Sequence, residues 1–282
     1  MDDLIQLLDL EPIEVNVFRG QSPDEQRQRV FGGQVAGQAL VAAARTVETG
    51  TVHSLHAYFL RPGDPTIPIL YEVERIRDGR SFTTRRVVAI QHGQAIFHLS
   101  ASFHADEPGF EHQIDPPDGL PDPDTLPDFK SRNAAHAATL GEWYDRPRPI
   151  DTRYVGQDSP NRSGEALPPY QHVWMRADGE LPDDPVLHRC VLTYASDMSL
   201  LDTVTLPHAV SWMDGTVMLA SLDHAMWFHR PFRADRWFLY SQDTPAAAGA
   251  RGLARGLIFQ DGELVVSVVQ EGLVRALGPI ER

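Results

Sequence analysis

The chain has 282 residues, 42% hydrophobic and 23% charged, which is more than one average domain and enough to bury a sizeable core without covalent staples. A formal charge of −14 excludes non-specific nucleic-acid binding, which needs a basic surface. The single cysteine, Cys190, excludes an internal disulfide and any cysteine-rich zinc site. No apolar run approaches the ~18 residues of a membrane span. Met1–Leu10 is short and acidic, unlike a signal peptide, and Gly278–Arg282 carries no peroxisomal tripeptide, so the expected location is cytoplasmic. Twenty-four of the 25 basic residues are arginines, Lys130 being the exception. Genomic base composition accounts for that bias, and so does phosphate recognition by guanidinium forks.

In chain order, Ile13–Val17 alternates like a strand. Gly32-Gly33 then opens a segment in which Ala36, Leu40, Ala43 and Val47 recur at helical spacing, with Ala39, Ala42 and Ala44 on the flank. Four strand-like segments follow, Ser54–Leu60, Ile67–Arg77, Phe82–Gln91 and Gln94–His104, with turns at Gly79 and His92-Gly93. Between Asp106 and Pro127 six prolines stand among aspartates, which blocks both helix and central strand and predicts a surface linker. Beyond it, His172–Met175 reads as a strand and Val186–Val204 as a helix. Strands follow at Val217–Phe228, Trp237–Asp243, Gly252–Phe259 and Leu264–Arg275, with Asp261-Gly262 as a hairpin turn.

The two sides align without gaps at an offset of 169. Phe59-x-Arg61-Pro62 falls on Phe228-x-Arg230-Pro231, Leu70-Tyr71 on Leu239-Tyr240, and Gln91-x-Gly93 on Gln260-x-Gly262. Only eight positions are identical over residues 53–104, Arg86 with Arg255 among them, but their clustering and the shared element order imply a duplication. One helix followed by successive strands, twice over, predicts an α+β fold. Two curved antiparallel sheets, each wrapping a long helix, would join edge to edge and so cover an otherwise open edge. The expected units are residues 1–105 and 146–282, separated by a Pro/Asp-rich linker over 106–145.

Four stretches carry a family resemblance: Val30–Leu40 (VFGGQVAGQAL), Arg77–Phe82 (RDGRSF), Asp223–Phe232 (DHAMWFHRPF) and Val269–Arg275 (VQEGLVR). In order and spacing they resemble the acyl-CoA thioesterase II family. That resemblance implies two hotdog units fused in tandem, hydrolysis of acyl-CoA thioesters, and further association into a homodimer or homotetramer. It also implies a catalytic set in the second unit: Asp197, Ser221 and Gln270. The type member of the family has a threonine at the position of Ser221, and either residue supplies a hydroxyl. No cofactor and no metal are implied, and acyl-CoA is the expected partner.

The residues also have plainer readings. Asp197 falls in the second predicted helix beside Tyr194, Met198 and Leu201, where a carboxylate is costly to bury unless paired. Ser221 is predicted on a strand, sharing a face with Asp223 while His224 points away, which disfavours a Ser221–His224 nucleophile pair. The chain also lacks a Gly-x-Ser-x-Gly elbow. Gln270 stands in an apolar strand, and an amide there can hold a water and a carboxylate together or simply join strands. Its counterpart in the repeat is Ala101, which places one working site in the second unit. His53, His56, His224 and His229 match no common zinc spacing. Gly32 and Gly33 either allow close packing or leave helix amides free for a ligand. Arg80, Arg230 and Arg61 are candidates for coenzyme A phosphates. The expected reaction is direct attack of water, with Asp197 as general base, Gln270 and Ser221 orienting the water, and backbone amides stabilising the oxyanion. The alternatives are a hotdog enoyl-CoA hydratase, although no Gly-Asp-x-Asn-Pro-x-His run is present, and a non-catalytic acyl-CoA binding module.

Overall fold

A computed structural model describes residues 1–23, 28–156, 164–211, 213 and 215–278. The first half comprises helix α1 (Asp2–Leu8), strands β1 (Glu11–Glu14) and β2 (Val17–Gly20), helix α2 (Gly32–Ala44), and strands β3 (Thr51–Phe59), β4 (Ile69–Asp78), β5 (Phe82–Gln91) and β6 (Gln94–His104). Short helices α3 (Phe129–Asn133), α4 (Ala137–Leu140) and α5 (Glu142–Asp145) lie in the connection. The second half runs β7 (Ile150–Tyr154), β8 (Tyr170–Ala177), α6 (Pro185–Ser196), a 3-10 segment (Leu201–His208), β9 (Val217–Ser221), β10 (Asp223–Phe228), β11 (Phe238–Ala248), β12 (Arg251–Gln260) and β13 (Glu263–Ala276).

Among the described residues the strands form one 13-stranded sheet in the order β1-β2-β4-β5-β6-β3-β10-β13-β12-β11-β8-β7, with β9 added on β13. The order is a palindrome about the β3–β10 junction, where Leu55 faces Met226 and Tyr58 faces Asp223 across an antiparallel ladder. The expected edge-to-edge joining of two helix-wrapping sheets is therefore what forms. α2 packs on α6 and against β4, β5 and β6, while β11, β12 and β13 pack on the 3-10 segment Leu201–His208. Gly33 to Ala43 are all buried, because sheet and partner helix together enclose α2 on every side. The alanine-rich flank is what makes this possible. A Cβ on Gly37 would come within 3.2 Å of the Cys190 carbonyl oxygen, and one on Gly33 would strike that of Tyr194.

The repeat is visible atom by atom. Gln91 accepts from the Asp64 amide and donates to the Asp64 and Ile67 carbonyls. Gln260 treats Arg233 and Arg236 in the same way, 169 positions on. Arg61 caps the Ala95 carbonyl as Arg230 caps that of Leu264. Arg86 pairs with Glu74 as Arg255 pairs with Asp243. Even the irregularity between Ala89 and Ile90 returns between Ile258 and Phe259. The identical residues are thus those that fasten turns and strands, which explains why so few suffice.

Four expectations change. Ile13–Val17 is not one strand: the chain reverses at Val15-Asn16, with Asn16 at φ 62°, so β1 and β2 form a hairpin. The predicted helix Val186–Val204 ends at Ser196. Thr193 and Ser196 turn their hydroxyls back onto the Arg189 and Thr193 carbonyls, and the chain then tightens into the 3-10 segment that contains Pro207. The offset of 169 holds only for the strands. From α2 to α6 it is 185 − 32 = 153, so the second unit carries 16 more residues between helix and strands. Finally, Val217–Phe228 is broken at Leu222. β13 pairs Gly272 with Ser221 but Val269 with Ala225, so one extra residue is inserted on the β9–β10 side, a bulge. The connection, for its part, lies against the second unit. Gln113 bonds Gly262 and Leu264, Asp124 accepts from the Trp237 indole, and Leu126 accepts from Arg153.

Candidate active site

The bulge at Leu222 shapes the site. Alternation predicts that Ser221 and His224 point to opposite faces, but one extra residue restores them to the same face. Both turn toward α6. Ser221 Oγ donates to Asp197 Oδ1 at 3.2 Å, and His224 Nε2 lies 2.8 Å from Ser196 Oγ. The two do not pair with each other. His224 is buried beneath the site, and burial pushes its imidazole down to about 4. It is therefore neutral at pH 7 and committed to Ser196.

Asp197 is the first residue past α6, not an interior helical one. The turn presents its carboxylate to a cleft of about 450 Å³. Gln270 Nε2 donates to the same oxygen, Oδ1, at 2.6 Å. Gln270 is wholly buried on β13, and its Oε1 has no partner among the described residues. The Gly33 backbone amide, from the first unit, also bonds Asp197. Burial raises the Asp197 carboxyl to about 6. The Gln270, Ser221 and Gly33 hydrogen bonds and the nearby Arg29 charge restrain that rise.

The two helices of the repeat differ where they begin. α6 is capped by the Asp184 side chain, which accepts from Val186, and has Pro185 in its first turn. α2 starts after Phe31 with no side-chain cap. The amide end of α2 and the positive end of its dipole therefore meet Asp197 instead of a cap of their own. Gly32 stands at the closest approach: a Cβ there would lie 2.6 Å from Asp197 Oδ2 and 2.8 Å from Phe59 Cε1. Gly33 allows the helices to touch, and Gly32 leaves room beside the carboxylate.

The position of Gln270 in the first unit is not simply emptied. Ala101 faces Arg85 across β5–β6, as Gln270 faces Ala254 across β12–β13. Arg85, 1% exposed, bonds the Thr46 hydroxyl and carbonyl and the Asp78 carboxylate. In each unit one long polar side chain of this pair reaches the chain just beyond the helix. In the second unit it meets a carboxylate, and in the first it neutralises the end of α2.

Of the predicted site residues, Asp197, Ser221, Gln270, Gly32 and Gly33 come together. Arg61 lines the cleft. Arg80 does not: it is exposed after the end of β4, outside the cleft lining. Arg230 also lies outside it, holding Leu264. The shared Arg-Pro element serves a turn in both units. Sequence reading missed Arg29, which donates to the Leu219 carbonyl at 2.9 Å and lines the cleft. It stands near the start of α2, and nothing in its local pattern marks it. The remaining wall is formed by Val35, Phe59, Ile96, Phe97 and Leu219, with Asp202 beside them. His53 bonds Ser102, His229 bonds Ser267, and His56 packs edge-on to Trp227.

Comparison with known proteins identifies the family. Residues 148–273 match the family model described as acyl-CoA thioesterase, and residues 21–104 match the acyl-CoA thioesterase N-terminal domain. Acyl-coenzyme A thioesterase 8 of Homo sapiens is 43% identical, covering 95% of this chain and 88% of that protein. Acyl-CoA thioesterase 2 of Haemophilus influenzae is 41% identical over 98% of each. The crystal structure of an acyl-CoA thioesterase II, TesB2, from Mycobacterium marinum superposes with a TM-score of 0.81 at 44% identity, covering 99% of this chain and all of that one. With identity above 40% along nearly its whole length, the chain belongs to the acyl-CoA thioesterase family.

Proposed function

We propose that the chain hydrolyses acyl-CoA thioesters by direct attack of a water activated by Asp197. The observation that carries this reading is the division of labour on one carboxylate. Gln270 and Ser221 both occupy Oδ1, while Oδ2 lies beside Gly32 at the cleft. A carboxyl raised to about 6 is ionised at neutral pH yet basic enough to take a proton from water. The orphaned Oε1 of Gln270 is an acceptor for that water's second hydrogen, so one amide holds base and nucleophile together. As the thioester carbonyl becomes tetrahedral, its oxygen gains charge that the uncapped first turn of α2 would stabilise. The thiolate is a good leaving group and needs no dedicated acid. The acyl chain would follow the apolar wall of the cleft.

Ser221 acts as a donor to Asp197 in this scheme, not as a nucleophile, since His224 is held by Ser196. The same commitment argues against a hydratase, because no histidine is left to exchange a proton in the cleft. Thiol release across a series of acyl-CoA chain lengths tests the reading, with loss of enoyl absorbance followed in parallel. Thiol release abolished by Asp197→Asn supports it; enoyl consumption without thiol release sinks it. We further take residues 1–105, 106–145 and 146–282 as first unit, connection and second unit. The proposal also places the protein in the cytoplasm as a homodimer or homotetramer, in keeping with the family resemblance and the lone buried Cys190. Light scattering on the purified chain tests the assembly. No helix among the described residues is long and apolar enough to cross a membrane.

A further inference from the structure

Asp197 stands just past α6, so its place is set by whatever holds Ser196, the last residue of that helix. The final carbonyls of a helix have no partner within it. That of Ser196 finds one in the sheet: the Tyr240 hydroxyl, on β11, donates to it at 3.1 Å. The Ser196 side chain is fastened as well. Its Oγ donates to the Thr193 carbonyl at 2.9 Å and lies 2.8 Å from Nε2 of His224, on β10. A hydroxyl has one hydrogen, and Thr193 takes it. His224 therefore carries its proton on Nε2 and donates to Ser196. Its Nδ1, without a partner among the described residues, is then a bare lone pair and not a stranded donor. Ser196, His224 and Tyr240 are each at most 1% exposed, and neither His224 nor Tyr240 lines the cleft.

The repeat shows what these contacts replace. Leu55 stands where the second unit has His224 (224 − 169), and Val87 where it has Gly256 (256 − 169). Tyr71 matches Tyr240 (240 − 169), but its hydroxyl donates at 2.7 Å to Gln38, within α2. A Cβ at Gly256 would strike the Tyr240 ring, so this glycine on β12 makes room for the ring. The changes fall together in the unit that holds the carboxylate, and all of them bear on the end of α6.

We propose that Tyr240 and His224 are positioning residues for the hydrolysis, a mount that fixes the end of α6 so that the Asp197 carboxylate meets Gln270, Ser221 and the Gly33 amide together. The inference rests on the thioesterase reading above and adds to it two residues outside the cleft. Asp197 is held at its tip from β9 and β13, and at its root from β10 and β11. The Tyr240 bond also has an electrostatic consequence, because a bare carbonyl at a helix end disfavours an anion beside it. Of the other groups near Asp197, Arg29 is a cation and Asp202 lines the same cleft. Burial keeps both His224 and Tyr240 neutral.

The test follows thiol release from octanoyl-CoA in Tyr240→Phe, His224→Leu and His224→Gln. Tyr240→Phe removes one oxygen and keeps the ring. Its kcat should fall about tenfold to hundredfold, as displacement of a catalytic group does, with KM unchanged. The acid limb of its pH–rate profile should move to higher pH by about 0.2–0.7, the size of one helix-end interaction. A merely structural tyrosine would lower stability and leave that limb in place. His224→Leu installs the residue of the first unit, which has no donor for Ser196, and should lose kcat to a similar degree. His224→Gln restores a donor and should recover most of it. Unchanged kcat in a folded Tyr240→Phe protein overturns the inference, as does a loss without movement of the acid limb or a change in KM alone. So does a leucine variant as active as the glutamine one. If Tyr240→Phe does not fold, the histidine pair decides; if none of the three folds, the contacts serve stability alone and the inference fails. An unaltered protein that releases no thiol defeats the thioesterase reading and this inference with it, whereas one that does leaves only the mount at stake.

Discussion

Replacing Asp197 with asparagine should abolish activity and stabilise the protein, because the same buried carboxylate causes both effects. Burial raises this carboxyl from 3.8 to about 6, so the folded state binds its proton more tightly than the unfolded state does. The sign follows: the group's contribution to stability is greatest at low pH and is lost as pH rises from about 4 through about 6. A shift of roughly two units corresponds to a cost of about 3 kcal/mol at pH 8. Asparagine removes the charge but keeps an acceptor for Gln270 and Ser221, while weakening both bonds, so a net gain of about 1–2 kcal/mol is expected. At a few degrees per kcal/mol for a chain of this size, melting should rise by roughly 3–8 °C at pH 8. By about pH 5 the charge cost has roughly halved, so the net gain should have nearly vanished. Thermal melts and urea titrations of both proteins at several pH values measure this, with thiol release measured alongside. Turnover should fall by about 10²- to 10⁴-fold, the usual worth of a positioned general base. A variant that is inactive but less stable at pH 8, or whose extra stability does not depend on pH, would refute the argument that a desolvated carboxylate is the base.

Other outcomes follow from the same contacts. In the unaltered protein kcat/KM should fall on the acid side with an apparent pKa near 6, read from a pH–rate profile. Gln270→Ala removes the 2.6 Å donor to Oδ1. It should lower kcat by about tenfold to a thousandfold, as loss of one positioning group does, and move the acid limb to higher pH because a hydrogen bond that favoured the charged form is gone. Gly32→Ala places a methyl 2.6 Å from Asp197 Oδ2, so kcat should drop while stability, read by urea titration, falls by only the ~1–3 kcal/mol typical of overpacking. His224→Gln keeps a polar partner for Ser196 and should retain most of the turnover; a collapse as deep as that of Asp197→Asn, in a folded protein, would revive a histidine mechanism.

The repeat and its element order could be read from the chain because the residues that fasten turns are bound to the backbone they fasten. Gln91 with Gln260 and Arg61 with Arg230 have little freedom to change, so an offset of 169 survives where most of the sheet has diverged. What escaped were features that pattern cannot separate. An apolar run through Val186–Val204 reads the same whether it continues as a helix or stops at Ser196 and tightens. Val217–Phe228 alternates correctly on either side of Leu222, and the inserted residue shows only as a change of register against β13. Val15-Asn16 reads as strand because alternation over five residues does not report a positive φ. Asp197, Ser221 and Gln270 were named from a motif. Their convergence on one oxygen was not visible, since it depends on the end of α6 and on the bulge.

The halves of the repeat have become unequal in a complementary way. The first unit supplies an uncapped helix start, and the second supplies the carboxylate that faces it. Neither works alone, because Asp197 lacks the Gly33 amide without the first unit and α2 lacks an anion without the second. The reciprocal arrangement has been closed at both ends. α6 is capped by Asp184, and the chain just past α2 is held by Arg85, the cross-strand neighbour of Ala101, which is the counterpart of Gln270. There Arg85 donates to the Thr46 carbonyl just past α2 and pairs with the Asp78 carboxylate, where a cation is favoured by the helix dipole. Among the described residues, the pairing of a helix start with a carboxylate is thus set by which helix end each unit leaves unsatisfied.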